Sequence, residues 1–140
     1  MTAYAEFLAT KNIIAAPLGV NVSPDDLSPI LFDFQRAVTA WAVRKGRVAL
    51  FTGTGTGKTL MQIEWARQIG QRTLIVAPLA VVHQTIREGA KLSTDITYAR
   101  SQEQAAPDGI TITNYEMVDH LDPDYFGAVV LDESSLLKSV

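Results

Sequence analysis

The sequence predicts an α/β protein built on a mainly parallel sheet, and three features of the chain lead to this expectation. Residues 74–77 (LIVA) and 128–131 (AVVL) are apolar throughout, as strands buried on both faces of a parallel sheet are. Helical patterns lie between successive strand-like runs, which is the order of βαβ units. A glycine-rich turn at residues 52–59 joins a strand-like run to a helical pattern, as in phosphate-binding proteins of this class.

The helical patterns are read from the spacing of apolar residues and from their end signals. A first helix is predicted to end near residue 12. A second is predicted over residues 33–45, because Phe34 and Trp41 lie on one stripe and Gly46 can end the helix. Further helical patterns cover residues 58–69, 81–92 and 116–121.

Short apolar and β-branched runs separate these helices and are predicted to be the strands of the sheet. They are short enough to be single strands and are bounded by polar or glycine residues. The predicted strands cover residues 48–51, 73–77, 96–99, 110–113 and 128–131.

The overall composition is that of an ordinary globular chain. Of the 140 residues 47% are apolar and 19% charged, and the net charge of −3 argues against a strongly basic nucleic-acid-binding module. There is no cysteine, which excludes disulfides and thiolate metal sites, and two histidines make a histidine-rich metal site an unfavoured reading. The N-terminus lacks the basic opening and apolar run of a signal peptide, so we expect a cytoplasmic protein with no membrane partner.

The strongest functional signal is the turn at residues 52–59 (TGTGTGKT). Its glycines let the main chain wrap closely around phosphates, and the positive end of the following helix favours an anion. We expect Lys58 to reach the β- and γ-phosphates of ATP and the Thr59 hydroxyl to bind Mg²⁺. The strict pattern has glycine where this chain has Thr52, and a glycine-rich turn that binds nothing is the alternative. The predicted nucleotide-binding residues of the loop are Thr54, Gly55, Thr56, Gly57, Lys58 and Thr59.

Two carboxylates, Asp132 and Glu133, follow the apolar run at residues 128–131. A buried parallel strand delivers the residues after it to the same sheet edge as a phosphate loop. There Asp132 is expected to hold Mg²⁺, directly or through water, and Glu133 to orient and deprotonate the attacking water. A solvated strand end is the alternative reading of the pair.

Taken in order, these segments resemble the first RecA-like domain of superfamily-two helicases, in particular phage-encoded helicases related to the switch/sucrose-nonfermentable translocases. The resemblance covers about residues 31–139. Besides the phosphate loop, the segments that carry it are residues 31–35 (LFDFQ), 74–79 (LIVAPL), 112–116 (ITNYE) and 131–139 (LDESSLLKS).

The resemblance implies a three-layer P-loop NTPase domain over residues 31–140, incomplete at its C-terminal end, behind an extension at residues 1–30. It implies an ATPase with ATP and Mg²⁺ as cofactors, which couples hydrolysis to movement on nucleic acid, with DNA favoured over RNA. The cellular setting it suggests is a bacterium or a phage-infected host cell.

The same resemblance implies roles for further residues. Gln35 would read the adenine base through its amide. Ser135 stands where the family has the histidine that couples the ATP site to the nucleic-acid site. The residues that would face the nucleic-acid backbone are Pro78, Leu79, Thr113 and Asn114.

The family pattern extends beyond what this sequence contains. No arginine follows Asp132, and the family's arginine fingers come from a second RecA-like domain that the sequence lacks. The strand that follows the acidic pair in such sheets is also missing, which would expose strand edges. We therefore expect a fragment with weak or no hydrolysis, able to form a homodimer through those edges.

Two other functions fit parts of the sequence. The chain could be a different P-loop NTPase, such as a small kinase or a nucleotide-dependent switch. It could also be a non-catalytic binding module derived from a helicase domain. The ordered set of Gln35, Pro78, Leu79, Asp132 and Glu133 favours a helicase over another P-loop NTPase. Intact Lys58, Thr59, Asp132 and Glu133 argue against a degenerate binding module, whereas the short length argues for one.

Overall fold

The computed structural model of the chain describes residues 3–6, 18–50 and 57–132. Its long helices are α1 (Asp33–Lys45), α2 (Lys58–Ile69) and α3 (Leu79–Lys91). Its strands are β1 (Thr73–Ala77), β2 (Ile96–Tyr98), β3 (Ile110–Asn114) and β4 (Ala128–Leu131). Short 3₁₀ turns lie at Pro24–Asp26, Gln102–Gln104, Val118–His120 and Pro123–Tyr125.

The four strands form one sheet in the order β2-β3-β1-β4, and every pairing is parallel. β1 is the strand between β3 and β4, with Ile75 opposite Ile112 on one side and opposite Val130 on the other. All five residues of β1 are buried, as expected of a strand covered on both faces. The sheet confirms the predicted α/β class.

One face of the sheet packs against α2 and α3. Ile75 and Ile112 lie on this face, and Ile63 of α2 and Val82 of α3 cover them with no exposed surface. Burying a side chain of this size contributes about 1.5–3 kcal/mol, so this layer holds the two helices on the sheet. Glycines with positive φ end α1 at Gly46 (79°) and α2 at Gly70 (72°).

The opposite face of the sheet is covered only in part among the described residues. Leu74 and Val76 of β1 are buried beneath the segment that carries the 3₁₀ turns at Val118–His120 and Pro123–Tyr125. Val129 and Leu131 of β4 point to the same face but are 50% and 46% exposed. β4 therefore presents two apolar side chains to solvent.

The segment before α1 is tied to α2 through Glu64, which has no exposed surface. Its carboxylate accepts hydrogen bonds from the main-chain N–H of Ser28 (3.3 Å), from Gln68 (2.8 Å) and from Arg67 (2.6 Å). A buried carboxylate is stable only with such donors, so this cluster fixes Ser28 against α2.

The predicted strand at residues 48–51 is wrong over residues 48–50, which have no regular structure and pair with none of the four strands. A strand forms where a neighbour satisfies its main-chain hydrogen bonds, and no described strand is adjacent. Residue 51 lies outside the described part of the chain. The expected homodimer through open edges stays a prediction.

The predicted buried stripe of α1 is also wrong. Phe34 is 53% exposed and Trp41 is 41% exposed, whereas the buried residues of α1 include Ala42 and Val43. The small residues pack because they allow close approach to α2, where the indole N–H of Trp65 donates to the carbonyl of Ala42 at 3.3 Å.

The bounds of α1, α2, β1 and β4 agree with the predicted ranges, whereas α3, β2 and β3 differ from them by one or two residues at their ends. The helix predicted over residues 116–121 is only a 3₁₀ turn at Val118–His120. Of the predicted N-terminal helix, residues 3–6 are helical, and its continuation lies outside the described residues. Within the described part of the chain, no helix combines the length and apolar character needed to cross a bilayer.

Because Val76 of β1 is buried and Val129 of β4 is half exposed, the same substitution should change stability by different amounts at the two positions. We expect Val76→Ala to lower the free energy of unfolding by roughly 2–3 kcal/mol, because it removes fully packed methyl groups. The same change at Val129, on the same face of the neighbouring strand, should cost less than about 1 kcal/mol. Urea unfolding followed by circular dichroism measures both values, and equal losses would contradict the exposed position of Val129.

Candidate nucleotide-binding site

The site is centred on an ion pair between the first residue of α2 and the residue after β4. The ammonium nitrogen of Lys58 lies 3.3 Å from Oδ1 of Asp132. The Lys58 side chain is 34% exposed and that of Asp132 is 10% exposed, so the pair sits at the rim of the fold. Two groups that are 74 positions apart in sequence thus meet at the carboxyl edge of the parallel sheet.

Gly57 directs the chain into α2 and sets the position of Lys58. Its φ of 73° is in the left-handed region, where a side chain would be strained. The carbonyl of Gly57 accepts the hydrogen bond from Met61 N–H at 3.2 Å, which starts the helix. The first turn of α2 therefore leaves its free N–H groups and positive end beside the Lys58 side chain.

Gln35 lies against the last glycine of the predicted phosphate loop. A Cβ at position 57 would be 2.1 Å from Nε2 of Gln35, so only glycine allows this contact. The amide oxygen of Gln35 accepts a hydrogen bond from the N–H of Phe32 at 2.8 Å, which fixes its orientation and caps α1. Residues 35 and 57 are therefore close together, and the expectation that both contact one nucleotide stays a prediction.

Asp132 is held by groups that the sequence reasoning did not identify. Gln62 donates to its Oδ1 at 3.3 Å, and the hydroxyl of Tyr115 donates to its main-chain carbonyl at 2.5 Å. Its own N–H donates to the carbonyl of Val76 at 2.8 Å. Gln62 lies four residues after Lys58, on the same face of α2, which is the one sequence signal that could have pointed to it.

The donor set fits a magnesium–nucleotide complex better than a metal held by protein alone. Among the described residues no three histidine, cysteine, aspartate or glutamate side chains converge as a metal cage. Mg²⁺ at phosphate sites needs only one or two protein oxygens, because phosphates and water supply the others. Asp132 and Thr59, in the first turn of α2, are the described residues that could hold it, with Lys58 beside the phosphates.

Several predicted site residues lie outside the described part of the chain. Their roles in phosphate binding and water activation stay predictions. They are Thr54, Gly55, Thr56 and Glu133.

The predicted nucleic-acid residues are placed in two different environments. Leu79 is 54% exposed and Pro78 is half-buried at the start of α3, where a backbone phosphate could approach. Thr113 has no exposed surface, and its hydroxyl has no hydrogen-bond partner among the described residues. Asn114 is 3% exposed, and its side chain already bonds to Tyr98 and to Glu116. Thr113 and Asn114 would therefore have to be uncovered before their side chains could contact phosphate.

Asn114 also affects the ionisation of Glu116, two residues further along the chain. Its amide nitrogen donates to Glu116 at 2.7 Å, and this hydrogen bond, followed by one from the main chain, lowers the pKa of Glu116 below its ordinary value. The amide oxygen of Asn114 accepts from the hydroxyl of Tyr98 at 2.8 Å. An ionised Glu116 therefore belongs to the turn that follows β3.

We expect Asn114→Ala to raise the pKa of Glu116 toward its ordinary value, because the largest cause of its lowering is removed. Since the folded-state pKa is the lower one, the stabilising contribution is present above the unfolded pKa and disappears as pH falls through the folded one. An NMR titration of the side-chain carboxyl carbon measures this. Glu103, whose pKa is lowered first by main-chain hydrogen bonding, serves as the control and should not change.

Comparison with known proteins does not assign the chain to a family. No protein-family model matches it, and no curated protein is significantly similar to it. The case for a function therefore rests on the residues and the geometry given above.

Proposed function

We propose that this chain is the ATP-binding portion of an ATP-dependent helicase or DNA translocase, which couples ATP hydrolysis to movement on nucleic acid. The observation that carries the proposal is the contact of 3.3 Å between Lys58 Nζ and Asp132 Oδ1. A lysine at the start of a helix and an aspartate at the end of a parallel strand are the pair that phosphate-loop NTPases use for phosphates and magnesium.

The position of the pair supports a ligand site rather than a surface ion pair. Ligands of open α/β sheets bind outside the carboxyl ends of the strands, where Lys58 and Asp132 lie. Gly57 precedes Lys58 in a conformation that favours glycine, which opens the chain for a close approach of phosphate.

The chemistry proposed for these residues is that of phosphoryl transfer to water. Lys58 binds the β- and γ-phosphates and neutralises the charge that develops on them. Thr59 and Asp132 hold Mg²⁺, which when bound shields the phosphate oxygens and orients them for attack. Glu133, the next residue in sequence, is the proposed base that orients and deprotonates the attacking water.

The position of Gln35 supports a purine nucleotide as the ligand. Its amide carries both a donor and an acceptor, which is what the edge of adenine requires. Gln35 is 4% exposed and its oxygen already caps α1 through Phe32, so both amide groups could face adenine only after that cap is released. Its Nε2 is turned toward Gly57, so the proposed base contact and the proposed phosphate contact are adjacent in the fold.

The nucleic-acid part of the proposal rests on the sequence resemblance and on position. The start of α3 and the turn after β3 lie at the same carboxyl edge as the nucleotide site. Main-chain and polar contacts of this type fix the register of a nucleic-acid backbone without a strongly basic surface, which agrees with the net charge of −3.

Calorimetric titration of magnesium–ATP into the chain is the first test. Lys58→Ala should weaken binding by at least about tenfold, because a charge-assisted contact to phosphate is lost. Lys91→Ala is the matched control, since Lys91 pairs with Glu88 on α3 and should not affect the affinity. Equal affinities of both variants would refute the nucleotide site.

Repeating the magnesium–ATP titration with oligonucleotides present distinguishes a helicase from another P-loop NTPase. A motor fragment should show reciprocal coupling, in which nucleic acid changes the affinity for nucleotide. Unchanged affinity with single strands and duplexes alike would favour a different NTPase.

A second prediction concerns base selectivity. Gln35→Ala should reduce the preference for ATP over GTP by about tenfold, the value of one well-made hydrogen bond. Its affinity for magnesium tripolyphosphate, which has no base, should stay at the wild-type value. A parallel loss for tripolyphosphate would instead indicate that Gln35 supports only the shape of the loop at Gly57.

A further inference from the structure

A tyrosine hydroxyl connects two strand ends that are not neighbours in the sheet. Tyr115 follows β3 and Asp132 follows β4, and β1 lies between these strands. The Tyr115 hydroxyl nevertheless reaches the main-chain carbonyl of Asp132 at 2.5 Å. Its ring packs with the cluster of Leu74, Val76 and Leu121, which sets its direction across the end of β1.

This contact holds the main-chain carbonyl of Asp132, an atom different from those that its other described partners contact. Lys58 and Gln62 both contact Oδ1 of its carboxylate, and Val76 accepts its N–H. The main-chain carbonyl is held by Tyr115.

The other end of the connection is the turn after β3. The carbonyl of Asn114 accepts a hydrogen bond from Met117 N–H at 3.0 Å, which closes this turn. The side chain of Asn114 is shared between Tyr98 and the carboxylate of Glu116. A phosphate that took the Asn114 amide would compete with Glu116, since both are anionic acceptors. A change at Asn114 would then move the adjacent Tyr115.

We propose that Tyr115 is a positioning residue that orients Asp132 for Mg²⁺ and links this orientation to the turn after β3. The inference rests on the proposed function, because it concerns the same metal site. The occupant that would act on the turn is a nucleic-acid phosphate.

The test measures how strongly the affinity for ATP depends on magnesium. The dissociation constant is determined by calorimetry in MgCl₂ and again in EDTA, for the wild-type chain and for Tyr115→Phe. The variant keeps the ring that packs in the cluster and loses only the hydroxyl. We expect the gain in affinity from magnesium to fall by about threefold to tenfold, with the value in EDTA unchanged.

Tyr125→Phe provides a matched control. The Tyr125 hydroxyl also donates to a main-chain carbonyl, that of Ala106 at 2.7 Å, and Tyr125 contacts neither Asp132 nor α2 in the described contacts. This variant should keep the wild-type magnesium dependence. If Tyr115→Phe behaves like Tyr125→Phe, or weakens binding equally in EDTA, the positioning role is refuted.

Tyr98→Phe tests the other end of the connection. It removes one of the two side-chain hydrogen bonds of Asn114, and because the bond to Glu116 remains, we expect the magnesium dependence to be unchanged without nucleic acid. With a short oligonucleotide present, its magnesium dependence should differ from that of the wild-type chain by about twofold or more. If Tyr98→Phe and the wild-type chain show the same magnesium dependence with the oligonucleotide present, the link to the turn is refuted.

A wild-type chain that binds no magnesium–ATP would refute the proposed function itself. That result differs from a failure of the Tyr115 or Tyr98 prediction in a chain that does bind it.

Discussion

The parallel pairing of β4 with β1 is the interaction on which the rest of the site depends. β1 is buried on both faces, and its register with β4 sets Val76 opposite Leu131. The hydrogen bond from Asp132 N–H to the Val76 carbonyl, at 2.8 Å, extends this ladder by one residue. The carboxylate of Asp132 is therefore delivered by main-chain pairing, which depends little on the identity of surface side chains.

The sequence predicted the elements whose information is local. The bounds of α2 follow from a run of good helix formers between Gly57 and Gly70, and β1 follows from its unbroken apolar run. It also indicated Lys58 and Asp132, because motif order and the geometry of parallel sheets place both at one edge. Their contact in the structure agrees with that reasoning.

What could not be predicted depends on contacts between distant segments. Trp41 lies on a periodic apolar stripe, yet the neighbour that decides burial is α2, which packs on the smaller residues of α1. Residues 48–50 have strand-like composition but no described strand beside them. Tyr115 contacts Asp132 from 17 positions away, and no spacing rule marks such a hydroxyl.

In the structure without ligand, the ammonium of Lys58 and the carboxylate of Asp132 neutralise each other's charge. A phosphate alone would remove the ammonium from the carboxylate and leave an anion beside an anion. A magnesium ion alone would displace the ammonium and leave a cation beside a cation. If the site binds as proposed, only the complex of the two would give each side chain a partner of opposite charge, so the pair would favour metal and nucleotide together over either alone.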